Sequence, residues 1–191
     1  MSAMRRVGGL VTAEFSLVLV VFLTIACGVL EVGRAMYLYN ALYMVTQRAA
    51  IAAASADFSN PQAMAAVRQR AVLRTTPGNL IMGAPVSDAH VRIDYMSLSG
   101  AGTEVMQPIA AGNMPACPVN NRIACMKDPN SAACIRLVRV RICDPAVTAE
   151  CELTAYRAMF PLVKLPLQLP MSTTITPAET LGAAPGDGPC P

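Results

Sequence analysis

The order of hydrophobic and polar positions separates an apolar N-terminal segment from a more polar remainder. Between Val7 and Leu30 the only charged residue is Glu14. As an α-helix rising about 1.5 Å per residue, this stretch is about 36 Å long, enough to cross a hydrocarbon core of about 30 Å. We therefore predict one membrane-spanning helix over residues 10–33.

The helical pattern continues past the apolar segment. No Gly or Pro occurs between Arg34 and about Ala56, and alanine is frequent there. Asn60-Pro61 is typical of an N-cap followed by proline at the first helical position, which predicts a second helix ending near Thr76. Residues 34–76 are therefore expected to hold a helical extension and a second helix. Three arginines of that helix are interpreted as a solvated face rather than an anion site: Arg68, Arg70 and Arg74.

From residue 77 onward the pattern changes to short segments typical of strands, separated by turn residues, and 14 of the 15 prolines lie there. Four segments are strand candidates: 90–95, 138–142, 153–163 and 173–176. A small antiparallel sheet packed beside the long helix gives an α+β fold, with a β-rich extracytoplasmic domain over residues 77–176. Residues 177–191 are expected to form a mobile tail.

The chain has seven cysteines, of which Cys27 lies in the apolar segment and six follow downstream. An even set behind a membrane-targeting segment indicates disulfides formed in an oxidising compartment, although buried reduced thiols are an alternative. Six cysteines permit 15 connectivities. Two pairs are favoured because each encloses an Asp-Pro turn signal: Cys125 with Cys134, and Cys143 with Cys151. Cys117 and Cys190 remain as further disulfide candidates, and Cys190 could tie down the tail.

Charge gives the expected orientation in a bacterial inner membrane. The net charge is +3, and Arg5 and Arg6 precede the apolar segment, which places the N-terminus in the cytoplasm and the C-terminal domain in the periplasm or outside the cell. Glu31 and Arg34 stand three residues apart, so they can pair at the outer membrane boundary while the arginine stem snorkels. Three tyrosines are predicted to form an aromatic belt at that interface: Tyr37, Tyr39 and Tyr43. The near-neutral remainder predicts no nucleic-acid partner.

Two alternatives treat the apolar segment as a cleaved signal. It could be a secretory signal peptide, or a lipoprotein signal cleaved before Cys27. Both place Glu14 inside the hydrophobic region, where a carboxylate costs about 2.5–3.5 kcal/mol. Thr24 also occupies a position that is usually aliphatic in lipoprotein sites. A retained anchor is therefore favoured.

Two short motifs carry a resemblance to a known family. The segment from Gly9 to Phe15 resembles a prepilin cleavage motif, in which a basic leader ends in Gly and Glu is the fifth residue of the mature helix. Ala13-Glu14-Phe15 together with Glu31-Val32-Gly33-Arg34 resembles the TadE-like minor pseudopilins of the tight-adherence (Tad/Flp) pilus, over about residues 8–55. The resemblance implies a leader over residues 1–9, cleavage between Gly9 and Leu10 by a prepilin peptidase, and a structural role in pilus assembly. Its implied partners are other pilins or pseudopilins, an inner-membrane assembly platform and the lipid bilayer.

The leader motif also has a physical interpretation. Cleavage after Gly9 frees the amine of Leu10, whose pKa near 8 in model compounds makes it cationic at neutral pH. This amine can neutralise Glu14 within one helix or between neighbouring subunits, and pairing between subunits would set their axial register. Alternatively, Glu14 only stabilises its own helix N-terminus through the dipole.

Catalytic and metal-binding patterns are missing from the sequence. It has no Cys-x-x-Cys, no phosphate loop and no nucleophile elbow, and His90 is its only histidine. We therefore expect no enzyme, cofactor or metal site. The alternatives to a pilus role are a pseudopilin of a related secretion system and a membrane-anchored periplasmic binding domain, for which the helix is only a tether. A substitution at Glu14 separates the tether from the pseudopilin.

Overall fold

A computed structural model describes residues 8–99, 105–147, 150–160, 166–178 and 180–183. Its dominant element is helix α1, which runs unbroken over Gly8–Ser55. The alanine-rich composition after Arg34 explains why the helix does not end where the apolar segment does. The predicted long helix that continues beyond the membrane segment is confirmed.

Helix α2 covers Pro61–Ala71 and begins as the sequence predicts. The Asn60 side chain accepts hydrogen bonds from the backbone N–H groups of Gln62 and Ala63, at 2.9 and 3.3 Å. The helix ends at Ala71 and not near Thr76, so that part of the prediction is wrong. Leu73 takes a positive φ of 60°, which closes the last turn, and the following residues lead into Pro77, before which helical backbone is disfavoured.

Four antiparallel strands form one sheet in the order β2-β1-β3-β4. Their bounds are Val91–Ser99 for β1, Val105–Pro108 for β2, Leu137–Ile142 for β3 and Thr173–Pro177 for β4. The predicted antiparallel sheet is confirmed, with β1, β3 and β4 at three of the four candidate segments. Strand β2 and helix α3, over Pro118–Lys127, were not predicted.

The fourth strand candidate, residues 153–163, is not a strand in the part that the structure describes, which ends at residue 160. Within the described parts of the chain this segment pairs with residues 167–169: Tyr156 donates its backbone N–H to Leu167, Leu169 donates to Thr154, and Ala155 forms an isolated bridge with Gln168. Its backbone hydrogen bonds are therefore satisfied away from the sheet, along the side of α1.

One face of α1 covers the inner face of the sheet and of α2. Its buried residues recur every three or four positions: Glu31, Arg34, Ala35, Leu38, Leu42, Val45, Thr46, Ala49, Ala50, Ala53 and Ala54. Opposite them lie the inward-facing residues of β1 and β3, among which Ile93 is paired with Val140 and Tyr95 with Val138. The small alanine side chains let the sheet approach the helix closely.

Disulfides hold the loops at the two ends of the sheet. Cys125 bonds to Cys134 and Cys143 bonds to Cys151, each with Cα atoms 4.9 Å apart, so both favoured pairings are confirmed. Cys117 is also disulfide-bonded, and Cys190 lies outside the described residues.

Residues 177–178 and 180–183, expected as the start of a mobile tail, are instead packed into the fold near the end of α1. Ala178 and Leu181 are buried, and the backbone N–H of Gly182 donates to the carbonyl of Ala56 at 3.4 Å. Apolar burial of these two side chains gives the segment its contact with the core.

Candidate functional site

The candidate site follows α1 from its first turn to the point where the folded domain begins. Residues 11–25 are all exposed and residues 26–30 are exposed or half-buried, so none of residues 11–30 belongs to the buried core. Their side chains are almost all apolar, and the helix is long and apolar enough to cross a membrane, with a mean hydropathy of 2.5 in its most apolar window. A 20-residue helix is about 30 Å long, close to the thickness of a bilayer's hydrocarbon core.

The residues predicted to act in processing and assembly lie in the first turns of α1. Gly9 and Leu10 are helical in backbone, and the description of side chains begins at Val11. Glu14 is exposed and forms no ion pair with any residue that the structure describes, while the Phe15 ring is 66 % exposed. Both side chains are accessible to a neighbouring subunit, and the roles of these four residues stay predictions.

At the other end of the apolar stretch, Glu31 is completely buried by the folded domain. Its carboxylate accepts hydrogen bonds from the backbone N–H groups of Met159, at 3.1 Å, and Phe160, at 3.4 Å. The Tyr156 hydroxyl and the Arg34 guanidinium donate to the same carboxylate. Residues 156–160 therefore form a cradle of donors around one acid of the helix.

Arg34 binds a second loop, residues 80–86, to the helix. Its Nε donates to the carbonyl of Met82 at 3.1 Å, and its Nη2 donates to the carbonyl of Ala84. Nη1 donates to the carbonyl of Arg157 at 2.8 Å and to the Tyr156 hydroxyl at 3.1 Å. Four contacts to residues distant in sequence give one buried guanidinium a satisfied environment, as a buried charge requires.

Tyr156 completes this Glu31–Arg34–Tyr156 cluster. The Arg34 guanidinium lies over its ring at 5.3 Å from the centroid, within range of a cation–π contact. Burial raises the pKa of the Tyr156 hydroxyl, and its hydrogen bond to Glu31 raises it further, so the hydroxyl remains a donor at neutral pH. The cluster thus joins α1, residues 80–86 and residues 156–160 through charged hydrogen bonds.

The predicted pairing of Glu31 with Arg34 is present, with 3.1 Å between Arg34 Nη1 and Glu31 Oε1. The predicted snorkelling of Arg34 toward lipid headgroups is wrong. Its guanidinium points into the folded domain, where it donates hydrogen bonds to four acceptors. Their role as a membrane boundary stays a prediction. The sequence analysis missed Tyr156 and the loop carbonyls, since carbonyl acceptors have no sequence signal and no pattern linked position 156 to position 31.

Two of the three tyrosines beyond the cluster contact loops of the domain. Tyr37 donates its hydroxyl to the carbonyl of Ile81 at 3.2 Å, and Tyr39 donates to the carbonyl of Gln168 at 3.0 Å. Tyr43 accepts a hydrogen bond from Gln47 on its own helix. All three rings remain partly exposed, so each presents an apolar body beside a satisfied hydroxyl, and the predicted aromatic belt stays a prediction.

The described residues contain no metal-binding cluster, and their one histidine has a structural role. No group of three His, Cys, Asp or Glu side chains there has a geometry that could hold a metal ion. His90 is buried beside β1, where its Nδ1 accepts a hydrogen bond from the backbone N–H of Ser87 at 3.1 Å. It therefore stabilises a turn.

The structure defines a class of protein: one apolar helix suited to single-pass membrane anchoring, locked to a small disulfide-bonded α+β domain. A family model described as "TadE-like protein" matches residues 9–56, about a quarter of the chain. No curated protein and no solved structure matches the chain. Over this helix the chain is similar to TadE-like proteins, which confirms the resemblance predicted from its two motifs. The similarity points to a protein associated with Tad pili.

Proposed function

We propose that this protein is a minor pseudopilin that acts in the assembly of a Tad pilus, and so in adhesion and biofilm formation. The observation that carries the proposal is the uncovered apolar half of α1, residues 11–30, which has the length of a bilayer core and contains a single acid, Glu14. An acid at membrane depth is costly and is typical of a functional contact. The match to a TadE-like family model over the same helix supports this function.

The proposed pathway has three steps that use residues of α1. Arg5 and Arg6 keep the N-terminus in the cytoplasm while the C-terminal domain crosses the inner membrane. A prepilin peptidase then cleaves between Gly9 and Leu10. The new amine of Leu10 pairs with Glu14 of a neighbouring pilin or pseudopilin, which sets the axial register of the two helices on the inner-membrane assembly platform.

The cluster around Glu31 and Arg34 favours a role in pilus assembly over the alternative in which the helix is only a flexible tether. A tether needs no fixed angle between helix and domain, whereas this cluster attaches two loops to one turn of the helix. A rigid connection transmits the position of the membrane helix to the domain, which is useful to a subunit that must align with neighbours. The same helix would serve a related secretion system equally well.

The test is Glu14→Leu in cells that contain the partner pilins. Removing the carboxylate removes a cost of insertion, so the variant should reach the membrane and be cleaved after Gly9. We expect it to lose site-specific crosslinks to partner pilins and to lose surface pili. Thr24→Leu, a polar-to-leucine change deeper in the same exposed segment, is the matched control and should retain both.

Two outcomes would contradict the proposal. Mass spectrometry that finds an intact leader, or a lipid on Cys27, would rule out pseudopilin processing. A Glu14→Leu variant that crosslinks and forms pili like the wild type would show that Glu14 serves only its own helix. A membrane-anchored binding domain would then be the better interpretation.

A further inference from the structure

The outer face of the sheet, opposite α1, carries a concentration of positive charge. Arg139 and Arg141 of β3 point to this face, as do their cross-strand partners Asp94 and Arg92 of β1. Asp94 Oδ2 accepts hydrogen bonds from both β3 arginines, at 3.1 and 3.2 Å from Arg139 and at 2.6 and 3.2 Å from Arg141. Arg92 Nε lies 3.5 Å from Asp94 Oδ1. One carboxylate thus faces three guanidiniums.

Arg92 has further acidic neighbours, whereas the two β3 arginines do not. It lines an open groove that also contains Arg68, Asp88 and Asp144, so charge in that groove is close to balanced. Arg139 and Arg141 have Asp94 as their only anionic partner among the described residues. Each uses Nε and Nη2 on that carboxylate, which leaves the Nη1 groups with no acceptor in the described part of the chain.

The two free ends are held in place. Each guanidinium is fixed by two hydrogen bonds to the same oxygen, and the side chains are only 23 % and 19 % exposed. Donors that are already ordered lose little entropy when they bind a ligand. The two free Nη1 groups lie on the same face of β3, two residues apart, so together they can donate to the oxygens of one carboxylate.

We propose that Arg139 and Arg141, organised by Asp94, form a docking site for a carboxylate side chain of an acidic protein partner. Charge complementarity selects the carboxylate, and the shape of the surface selects a protein over a small ion. The face is open, and beside Arg139 lies Ile175 of β4, which is 43 % exposed. A protein segment can cover this apolar neighbour while its acid bridges the two arginines, whereas a free anion cannot.

The bilayer is too distant to supply the anion. Arg141 is paired with Thr173, and the adjacent Thr174 hydroxyl donates to Thr46 of α1 at 2.9 Å. Thr46 lies about 20 Å along the helix from the predicted boundary at residue 33, at 1.5 Å per residue. Lipid headgroups therefore do not reach this part of the sheet.

The experiment measures binding of a fluorescein-labelled oligoglutamate peptide to the full chain in an uncharged detergent, by fluorescence anisotropy. Replacing both arginines with glutamine, R139Q with R141Q, should weaken binding about tenfold or more, because two charge-assisted contacts are lost. The matched control is R48Q with R70Q, which removes the same charge from two exposed arginines elsewhere and should change affinity less than about twofold.

A second pair of variants keeps the test valid if the glutamine pair does not fold. R139K with R141K retains both charges and the ion pairs to Asp94 but loses the guanidinium forks, and should weaken binding several-fold. Equal effects of the R139Q/R141Q and R48Q/R70Q pairs, or unchanged binding by the lysine pair, would overturn the proposal. Displacement of the peptide by inorganic phosphate at similar concentration would also overturn it, because the ligand would then be a small oxyanion.

Discussion

Replacing Glu31 with glutamine should destabilise the connection between the helix and the domain. The substitution keeps the side-chain size but places an amide NH₂ where two backbone N–H groups, of Met159 and Phe160, now point at a carboxylate. Only one oxygen remains to accept from Arg34 and Tyr156. Leaving a buried donor unsatisfied costs about 1–3 kcal/mol, and Arg34 keeps its carbonyl acceptors, so the expected loss in the free energy of unfolding is about 2–5 kcal/mol.

Thermal unfolding of the full chain in detergent measures this effect. For a chain of this size the loss corresponds to a fall in Tm of roughly 5–15 °C. Glu152→Gln is the matched control, because Glu152 is exposed and forms no side-chain hydrogen bond with the described residues, and its Tm should stay within about 1 °C. Equal Tm values for the two variants would refute the reasoning and show that the cluster contributes nothing net.

Three further predictions concern the disulfides, the buried histidine and the helix motif. Non-reducing peptide mapping should recover Cys143 linked to Cys151, and replacing both by serine should cost roughly 2–3 kcal/mol on the chain-entropy model; free thiols at both positions in the native protein would contradict this. Burial lowers the pKa of His90 below its ordinary value of 6.5, although the charges of Asp144 and Asp88 act in the opposite direction. As the pH drops below about 6.5, the unfolded chain therefore takes up a proton before the folded chain does, and the free energy of unfolding should fall. His90→Gln should remove this part of the slope in pH-dependent unfolding. Gly33→Ala should keep or raise Tm, because an added Cβ meets no atom within 4 Å and alanine favours helix by about 1 kcal/mol; a lower Tm would show an unseen contact.

Local signals in the sequence were enough to predict several elements. The Asn60-Pro61 start of α2 needs only neighbouring atoms, and the alternation along β3 reflects one buried and one polar face. The failures concern elements that depend on distant partners. Residues 153–160 have a strand-like composition but pair with residues 167–169. Strand β2 is exposed throughout, so its sequence does not need the alternation of apolar and polar residues that predicts a strand.

The site shows the same division. The spacing of Glu31 and Arg34 predicts their pairing, because residues three apart share a helix face. Their burial could not be predicted, since it depends on Tyr156 and on backbone groups more than 120 positions away in the chain. A charged pair at the end of an apolar helix was interpreted as facing lipid and water, and only tertiary contacts distinguish that arrangement from a buried one.

The Glu31-Val32-Gly33-Arg34 motif therefore divides its residues between two sides of one helical turn. Glu31 and Arg34 face inward and bind the domain, whereas Val32 is exposed and Gly33 has open space around it. Because the domain covers one face of α1 from Glu31 onward, the part of the helix that is exposed on all sides ends at about residue 30, and its length of about 30 Å matches a bilayer core. In the proposed assembly, the pair of Glu31 and Arg34 would fix where the domain begins relative to the membrane, and Glu14, at the opposite end of the same apolar stretch, would be available for contacts with other subunits.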